Sequence, residues 1–355
     1  MTDTTPTTQP AATIGVVAIG RNEGQRLVVC LRAALASGGP VVYVDSGSTD
    51  GSVATAREMG AHVVELDVAQ PFTAARARNA GLAELLRLNP GLRYVQFVDG
   101  DCELQPGWLA AAAGRLGARG DLAVVCGRRR ERFPDASLFN KLCDMEWDTP
   151  VGEARACGGD AMMRVEALRA VGGFRDDLIC GEEPELCVRL RQAGWAVERL
   201  AQEMTLHDAA MSRWSQWGQR TRRAGVAAAP ARALHGRSPL RHGVKQTRTT
   251  WVWTLGLVAA AGLLGVFTGG WGLVLIPLGY AALWWKVMRY RVGRGDPACA
   301  ARVYATFNVL GKWPELLGHV GYWWQRCSGR RAKLIEYKSA APAGGEGRGP
   351  GVVST

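Results

Sequence analysis

The sequence has no Cys-x-x-Cys pair, although it holds nine cysteines in 355 residues. Their scatter, their odd number and the apolar surroundings of Cys30, Cys126 and Cys187 argue against a zinc-finger spacing or a disulfide framework and for a reducing compartment. No G-x-G-x-x-G opens the first helical stretch and no G-x-x-x-x-G-K-[ST] occurs. Without those phosphate-cradling turns a dinucleotide dehydrogenase or a P-loop nucleotidase is disfavoured. Residues 1–12, rich in Thr, Pro and Gln, lack the basic start and apolar core of a secretory signal and are expected to be disordered. Acidic residues are scarce in the C-terminal part: residues 211–355 hold 4 Asp/Glu against 21 Lys/Arg, a net +17, whereas residues 1–210 hold 28 against 22, a net −6. Such a split suggests a catalytic or binding half joined to a half that faces an anionic surface, either nucleic acid or a membrane.

What is present in the first half is an alternation of apolar runs and helical spacings. Thr13–Ile19, Val41–Val44, His62–Leu66 and Tyr94–Val98 read as strands. Between them, Gln25–Ala36, a short stretch ending at Met59, and Phe72–Leu88 read as helices. This predicts an α/β layered domain over residues 13–210 with a mainly parallel sheet, in which ligands collect at the carboxyl ends of the strands. Glu23, Asp45 and the Asp99-Gly100-Asp101 turn all fall at such ends. Two carboxylates ~5 Å apart repel by roughly 3 kcal/mol at an effective dielectric near 20. A Mg²⁺ or Mn²⁺ ion would turn that cost into a binding site shared with substrate phosphates. A solvated Asp-Gly-Asp turn is the plainer alternative for the tripeptide alone. Arg76 and Arg78 at the start of the third helix suit phosphate or a solvated helix face, and the Arg128–Arg132 cluster suits an anionic acceptor or a solvated strand edge.

Four segments in order, Val17-Ala18-Ile19-Gly20-Arg21-Asn22-Glu23, Val44-Asp45-Ser46-Gly47-Ser48-Thr49-Asp50-Gly51, Ala77-Arg78-Asn79-Ala80-Gly81 and Val98-Asp99-Gly100-Asp101, resemble the nucleotide-sugar half of the family 2 inverting glycosyltransferases. The resemblance implies a glycosyltransferase-A fold. It implies that Glu23 and Asp45 hold the base and ribose of a UDP- or GDP-sugar, that Arg78 lies near the diphosphate, and that Asp99 and Asp101 carry the metal–diphosphate. The family's usual Pro-x-Tyr-Asn stands here as Ile19-Gly20-Arg21-Asn22. Further on, Gly158-Gly159-Asp160-Ala161-Met162-Met163-Arg164 resembles the family's acceptor-site segment, which implies acceptor contacts at Gly159, Asp160 and Arg164. Gly181-Glu182-Glu183-Pro184 resembles the Glu-Asp pair that carries the general base, with Glu183 in the place of the Asp and Glu182 as second choice. The alternative for this pair is negative charge complementing a helix N-terminus. His207 is a structural histidine or, by the resemblance, a further metal ligand.

The second half reads differently. Arg213–Gly225 mixes Trp and Arg at helical spacing, so residues 211–250 are expected to form a basic amphipathic interface segment; no recognised nucleic-acid motif accompanies it. Trp251 to Trp285 contains no charged residue. As one helix it would extend ~52 Å, against a ~30 Å hydrocarbon core. Thr268-Gly269-Gly270 divides it, predicting a transmembrane or re-entrant hairpin over 251–285 with basic flanks on the cytoplasmic side. Residues 286–338 are expected to form basic interfacial helices divided at Pro314, and 339–355 a disordered tail. Together these features predict an enzyme at the cytoplasmic (inner) membrane that moves a sugar to a lipid-linked or polysaccharide acceptor. The competing expectation is a catalytically inactive, membrane-tethered scaffold that binds nucleotide sugar.

Overall fold

A computed structural model describes residues 13–329; the segments 1–12 and 339–355 expected to be disordered, and the basic stretch 330–338, lie outside the described residues. Strands β1 (Ile14–Gly20), β2 (Val41–Asp45), β3 (His62–Glu65) and β4 (Tyr94–Asp99) are parallel neighbours in the order β3-β2-β1-β4. β1, β2 and β4 are nearly continuous runs of β-branched and aromatic residues, buried on both faces as expected of strands covered by helices on either side. The connecting helices are α1 (Gln25–Leu35), α2 (Ser52–Glu58) and α3 (Ala74–Leu88). Thr73 caps α3 by accepting the Arg76 amide at 3.0 Å, so the helix starts two residues after Phe72. α3 approaches β1 so closely that a Cβ at Gly81 would fall 2.4 Å from Val17 Cγ1.

Beyond β4 come β5 (Cys102–Leu104), α4 (Trp108–Ala118), β6 (Leu122–Glu131), α5 (Leu138–Trp147), β7 (Gly152–Glu153), β8 (Ala161–Arg164), α6 (Val165–Val171), α7 (Glu182–Gln192) and β9 (Ala196–His207). The sheet continues β4-β8-β6-β9-β5, with β7 paired to β9. β6 and β9 are parallel, but β8 runs antiparallel to both β4 and β6. The mainly parallel reading thus holds for the first four strands, and the remainder is mixed. The reason is local: the connection through α5 stays at the carboxyl end of β6, so β8 starts there and runs away. As a result the ends of β1, β2, β4, β6 and β9 and the beginning of β8 share one edge of the sheet.

The C-terminal part is helical: α8 (Trp214–His235), α9 (Val244–Trp251), α10 (Leu257–Phe267), α11 (Leu275–Gly293), α12 (Ala298–Leu310) and α13 (Lys312–Cys327). α9, a π-helical turn and α10 run together as a 24-residue helix, Val244–Phe267, and a second helix of 23 residues spans Trp271–Gly293. Both are long and apolar enough to cross a membrane, and only 22% and 11% of their most apolar windows are buried within the protein. Val266, Phe267 and Trp271 are about four-fifths exposed, which is unlike the buried hairpin of a soluble core. Pro314 lies in the first turn of α13, where its missing amide costs no hydrogen bond, so the break between α12 and α13 falls at Gly311 instead.

α8 and α13 cross backbone to backbone: a Cβ at Gly225 would sit 2.0 Å from the Glu315 carbonyl oxygen, and one at Gly318 would sit 2.2 Å from that of Arg222. α8 is also tied to the α/β domain. Arg220 pairs with Glu146 at 2.6 Å, His235 meets Glu185 at 2.9 Å, and Trp217 packs with Phe139 and Phe307 in a second apolar cluster. The segment expected to be a basic amphipathic interface is thus also tied to the α/β domain through Arg220, His235 and Trp217, while Trp214 stays more than half exposed.

Candidate active site

A cleft of about 670 Å³ opens at the shared carboxyl edge. One side is the loop after β1 with Arg21, Asn22 and Glu23; the floor is Arg78, Asp99, Gly100, Asp101 and Gly159; the opposite side is Glu182, Glu183 and Pro184 at the start of α7. Arg220, Arg223 and Ala227 of α8 and Glu315 of α13 close it from the helical part.

The first side is a laced pair of loops. Asn22, at φ 54°, donates its amide to Ser48 Oγ at 2.9 Å and accepts the Thr49 amide at 2.7 Å, while the Gly24 amide reaches Asp50 at 3.0 Å. Glu23 pairs with Arg26 at 2.8 Å. Asp45 is buried just beneath, and its carboxylate accepts the Tyr43 hydroxyl at 2.9 Å and the Gly47 and Ser48 amides at 2.8 and 2.7 Å. It shapes the loop and, unlike Ser46, does not line the cleft as the structure stands. At the departure from the family's Pro-x-Tyr-Asn, the Arg21 guanidinium lies 5.5 Å from the centre of the Phe72 ring, and both face the cleft.

The floor is a lattice of charge. Buried Arg78 pairs with Glu182 at 2.6 Å and Asp99 at 3.0 Å, which links the floor to the start of α7. Arg129 pairs with Asp99 at 3.2 Å and Asp160 at 3.5 Å. Gly100 serves by its size: its amide bonds to the Ile19 carbonyl at 2.7 Å, and a Cβ would meet that oxygen at 3.1 Å. At Gly159 a Cβ would fall 2.8 Å from Asp99 Oδ2 and 3.0 Å from an Arg78 guanidinium nitrogen, so any side chain there would break the Arg78–Asp99 contact.

His207 stands between two carboxylates, with Nδ1 3.2 Å from Glu131 and Nε2 3.3 Å from Asp101. Burial, together with the Arg129 guanidinium, holds the ring below its ordinary pKa. A neutral imidazole has one N–H and can donate to only one of the two. With Nδ1–H on Glu131, the Nε2 lone pair faces Asp101, an arrangement relieved by a cation between them and familiar from carboxylate–histidine–metal triads. Arg78 and Arg129 also stand against the carboxylates of Asp99, Asp101, Glu131, Asp160, Glu182 and Glu183, leaving an excess of negative charge. The residues present fit a divalent cation held by Asp101 and His207, with Asp99 adjacent.

Glu182 and Glu183 occupy different environments. Glu182 is committed to Arg78. Glu183 is buried, and its Oε1 accepts the Cys157 amide at 2.5 Å and the Cys157 and Cys187 thiols at 3.0 and 3.3 Å. Burial raises its pKa, and the Cys157 and Cys187 donors only partly offset that rise. All three contacts fall on Oε1, leaving Oε2 for an incoming hydroxyl. A carboxylate of raised pKa at a cleft wall suits proton transfer.

Two residues expected at the acceptor site lie elsewhere. Asp160 is fully buried; it accepts the Asp99 amide at 2.9 Å and the Thr205 hydroxyl at 2.8 Å, and so positions the Asp99 turn from below. Arg164 pairs in register with Tyr94, five residues and ~16 Å before Asp99 at ~3.3 Å per residue. Its guanidinium donates to the carbonyls of Leu122, Leu116 and Arg119 at 2.9, 2.7 and 3.1 Å, a structural post at the far end of the sheet. Because β8 runs away from the cleft, the glycine end of that segment reaches the site and the arginine end cannot.

The Arg128–Arg132 cluster is more than a solvated edge. It forms the end of β6 and the residue beyond, where alternation turns Arg129 to the site, Arg128 to Asp144 at 2.9 Å, and Arg130 outward to Glu203. Sequence reasoning missed Glu131, Glu146, Arg220, Glu315, Cys157 and Cys187. The run of β-formers before Arg128 signalled the strand that places Glu131; nothing local signalled the others, which arrive from distant segments.

The cleft and its acidic turn at the end of β4 lie where α/β sheets of this kind collect ligands, at the carboxyl ends of the strands. Residues 16–171 match the family described as Glycosyl transferase family 2, and the domain has the glycosyltransferase-A fold. The chain is 28% identical over 172 residues to the succinoglycan biosynthesis protein ExoA of Rhizobium meliloti (strain 1021), an alignment that spans 44% of this chain and only half the length of that relative. Among solved structures it resembles the mannosyltransferase PcManGT from Pyrobaculum calidifontis, a complex with GDP-Man and Mn²⁺, at a TM-score of 0.56 and 17% identity, covering 88% of this chain and 87% of the other. At that identity the likeness is one of fold, and its coverage extends past the α/β domain into the C-terminal helices.

Proposed function

We infer that the chain is a membrane-anchored, metal-dependent, inverting glycosyltransferase. It moves a sugar from a UDP- or GDP-sugar to a hydroxyl or phosphate on a lipid-linked or polysaccharide acceptor. The observation that carries this reading is that Glu183 and the Asp99–Asp101 turn face one cleft from different walls, linked by the Arg78 bridge. The base edge of the donor would rest against Arg21 and Phe72, beside Glu23 and the loop shaped by Asp45. Arg78 would meet the diphosphate once the donor competes for its carboxylates. Asp101, His207 and Asp99 would hold Mg²⁺ or Mn²⁺, which supplies positive charge to the leaving diphosphate when bound. Glu183 Oε2 takes the proton of the attacking acceptor hydroxyl, while the hydrogen bonds on Oε1 hold the carboxylate in place. Gly159 keeps the floor open at the point where sugar and acceptor meet.

The two apolar helices suit a hairpin anchor with both basic flanks on the cytoplasmic side, which places the cleft beside a membrane-borne acceptor and a cytosolic donor. The one feature favouring an inactive scaffold is Glu183 in the place of the family's Asp, and its three aligned donors argue instead for a poised base. A panel of UDP- and GDP-sugars tested with the detergent-solubilised protein and Mn²⁺ decides between the two. Donor turnover that Glu183→Gln removes while leaving donor binding intact supports the enzyme; tight binding with no turnover for any donor and acceptor pair establishes the scaffold.

A further inference from the structure

We propose that Cys157, Glu183 and Cys187 form a second metal site, selective for a thiophilic divalent cation such as Zn²⁺, whose occupation withdraws Glu183 from catalysis. The two sulfurs are 3.7 Å apart, and Glu183 Oε1 lies 3.0 Å from one and 3.3 Å from the other. A tetrahedral zinc with ~2.3 Å bonds to sulfur and ~2.1 Å to a carboxylate oxygen sets its sulfurs ~3.8 Å apart and each sulfur ~3.6 Å from the oxygen. The thiols already stand at that spacing, and the carboxylate needs to withdraw by only a few tenths of an ångström.

The scaffold is rigid where it matters. Glu183 and Cys187 are one helical turn apart on α7 and project from one face, and Cys157 comes from the segment leading into β8. All three residues are buried, yet Glu183 lines the cleft and offers a way in. Three protein ligands leave a fourth position for water.

Two thiolates select zinc over magnesium or manganese, whereas the Asp101 and His207 set is dominated by carboxylate and imidazole, with one thiol, Cys102, 3.5 Å from Asp101. The two sites are therefore told apart by variants, Asp101→Asn removing one and the cysteine variants the other. Uptake of one cation releases the two thiol protons to solvent, leaving two thiolates and one carboxylate on the metal. With Oε1 bound to the cation, the carboxylate loses basicity and Oε2 becomes a much poorer acceptor of the hydroxyl proton; this consequence, though not the site itself, rests on reading Glu183 as the base.

The test uses the full chain in detergent with Co²⁺ as a spectroscopic probe and Zn²⁺ as competitor. The expected result is one equivalent of Co²⁺ giving thiolate-to-metal charge-transfer absorption and the intense visible bands of a tetrahedral centre. Zn²⁺ should bleach them, Asp101→Asn should leave them in place, and Cys157→Ser and Cys187→Ser should each abolish them. Zn²⁺ should also slow transfer at saturating Mn²⁺ by roughly 100-fold, the low end of what a general base contributes, and a chelator should restore it. Absence of the charge-transfer band in the wild-type chain overturns the site, as does a band that survives in both folded serine variants. A band in the wild type with no effect of Zn²⁺ on transfer leaves the site standing and overturns Glu183 as the base.

Discussion

Alanine at Gly225 would press its methyl group against the Glu315 peptide, 2.0 Å from the carbonyl oxygen and 2.8 Å from the carbonyl carbon. Backbone atoms cannot rotate aside as a side chain would, so α8 and α13 would have to part by ~1.5 Å to restore an ordinary contact near 3.5 Å. Overpacking of this kind costs ~1–3 kcal/mol. In a chain of this size each kcal/mol lowers Tm by ~2–4 °C, so Gly225→Ala should melt about 2–12 °C lower. Gly318 makes the reciprocal contact, 2.2 Å from the Arg222 carbonyl oxygen. Once the helices have moved apart for one methyl, the second meets less resistance. The double variant Gly225→Ala/Gly318→Ala should therefore lose less than the sum of the single losses, with a coupling of ~1 kcal/mol or more. Apparent Tm in detergent at one scan rate, for wild type and the three variants, measures this directly. Because Arg220, Arg223 and Glu315 line the cleft, the same variants should also bind substrate more weakly. Strictly additive losses, or no loss at all, would refute the backbone crossing and the coupling of these helices to the site.

Asp101→Asn should abolish Mn²⁺-stimulated transfer, by ~100-fold or more in kcat, and remove the rise in Tm that Mn²⁺ gives the wild type; undiminished stimulation would move the metal elsewhere. Glu183 acts as a carboxylate, and burial raises its pKa, so kcat/KM should climb with pH along a limb lying above the ordinary glutamate value of ~4.3. In the folding equilibrium the sign is opposite: the stabilisation from protonated Glu183 is fully present below ~4.3 and lost as pH rises through the raised value, and Glu183→Gln should flatten that dependence in denaturant titrations. Arg164→Met takes the guanidinium donor from the buried carbonyls of Leu116 and Leu122, while the Arg119 carbonyl keeps the Leu122 amide, and should cost roughly 2–4 kcal/mol of stability while acceptor KM stays unchanged; a selective rise in acceptor KM would restore it to the acceptor site.

Much of the architecture was legible because the relevant signals are local. Apolar runs such as Tyr94–Val98 form a strand wherever they are buried, and the ligand-rich turns Asp45–Gly51 and Asp99–Asp101 follow such runs directly. The uncharged stretch between Trp251 and Trp285, broken at Gly269-Gly270, determines a helical hairpin by composition alone, although the helices extend back to Val244 on one side and on to Gly293 on the other, because helical hydrogen bonding does not stop where charge begins. What the linear order could not decide is direction and partnership. Whether Gly159 or Arg164 reaches the cleft depends on β8 running antiparallel, a consequence of where α5 leaves the chain. Whether Glu182 or Glu183 is available depends on Arg78, which lies 104 positions away from the glutamate it binds. The pair of thiols around Glu183, the imidazole held between Glu131 and Asp101, and the closure of the cleft by α8 and α13 are all contacts between distant segments. Sequence periodicity specifies which faces are apolar; only the packing of those faces determines which charges end up sharing a low-dielectric pocket, and there proximity decides which groups can do chemistry.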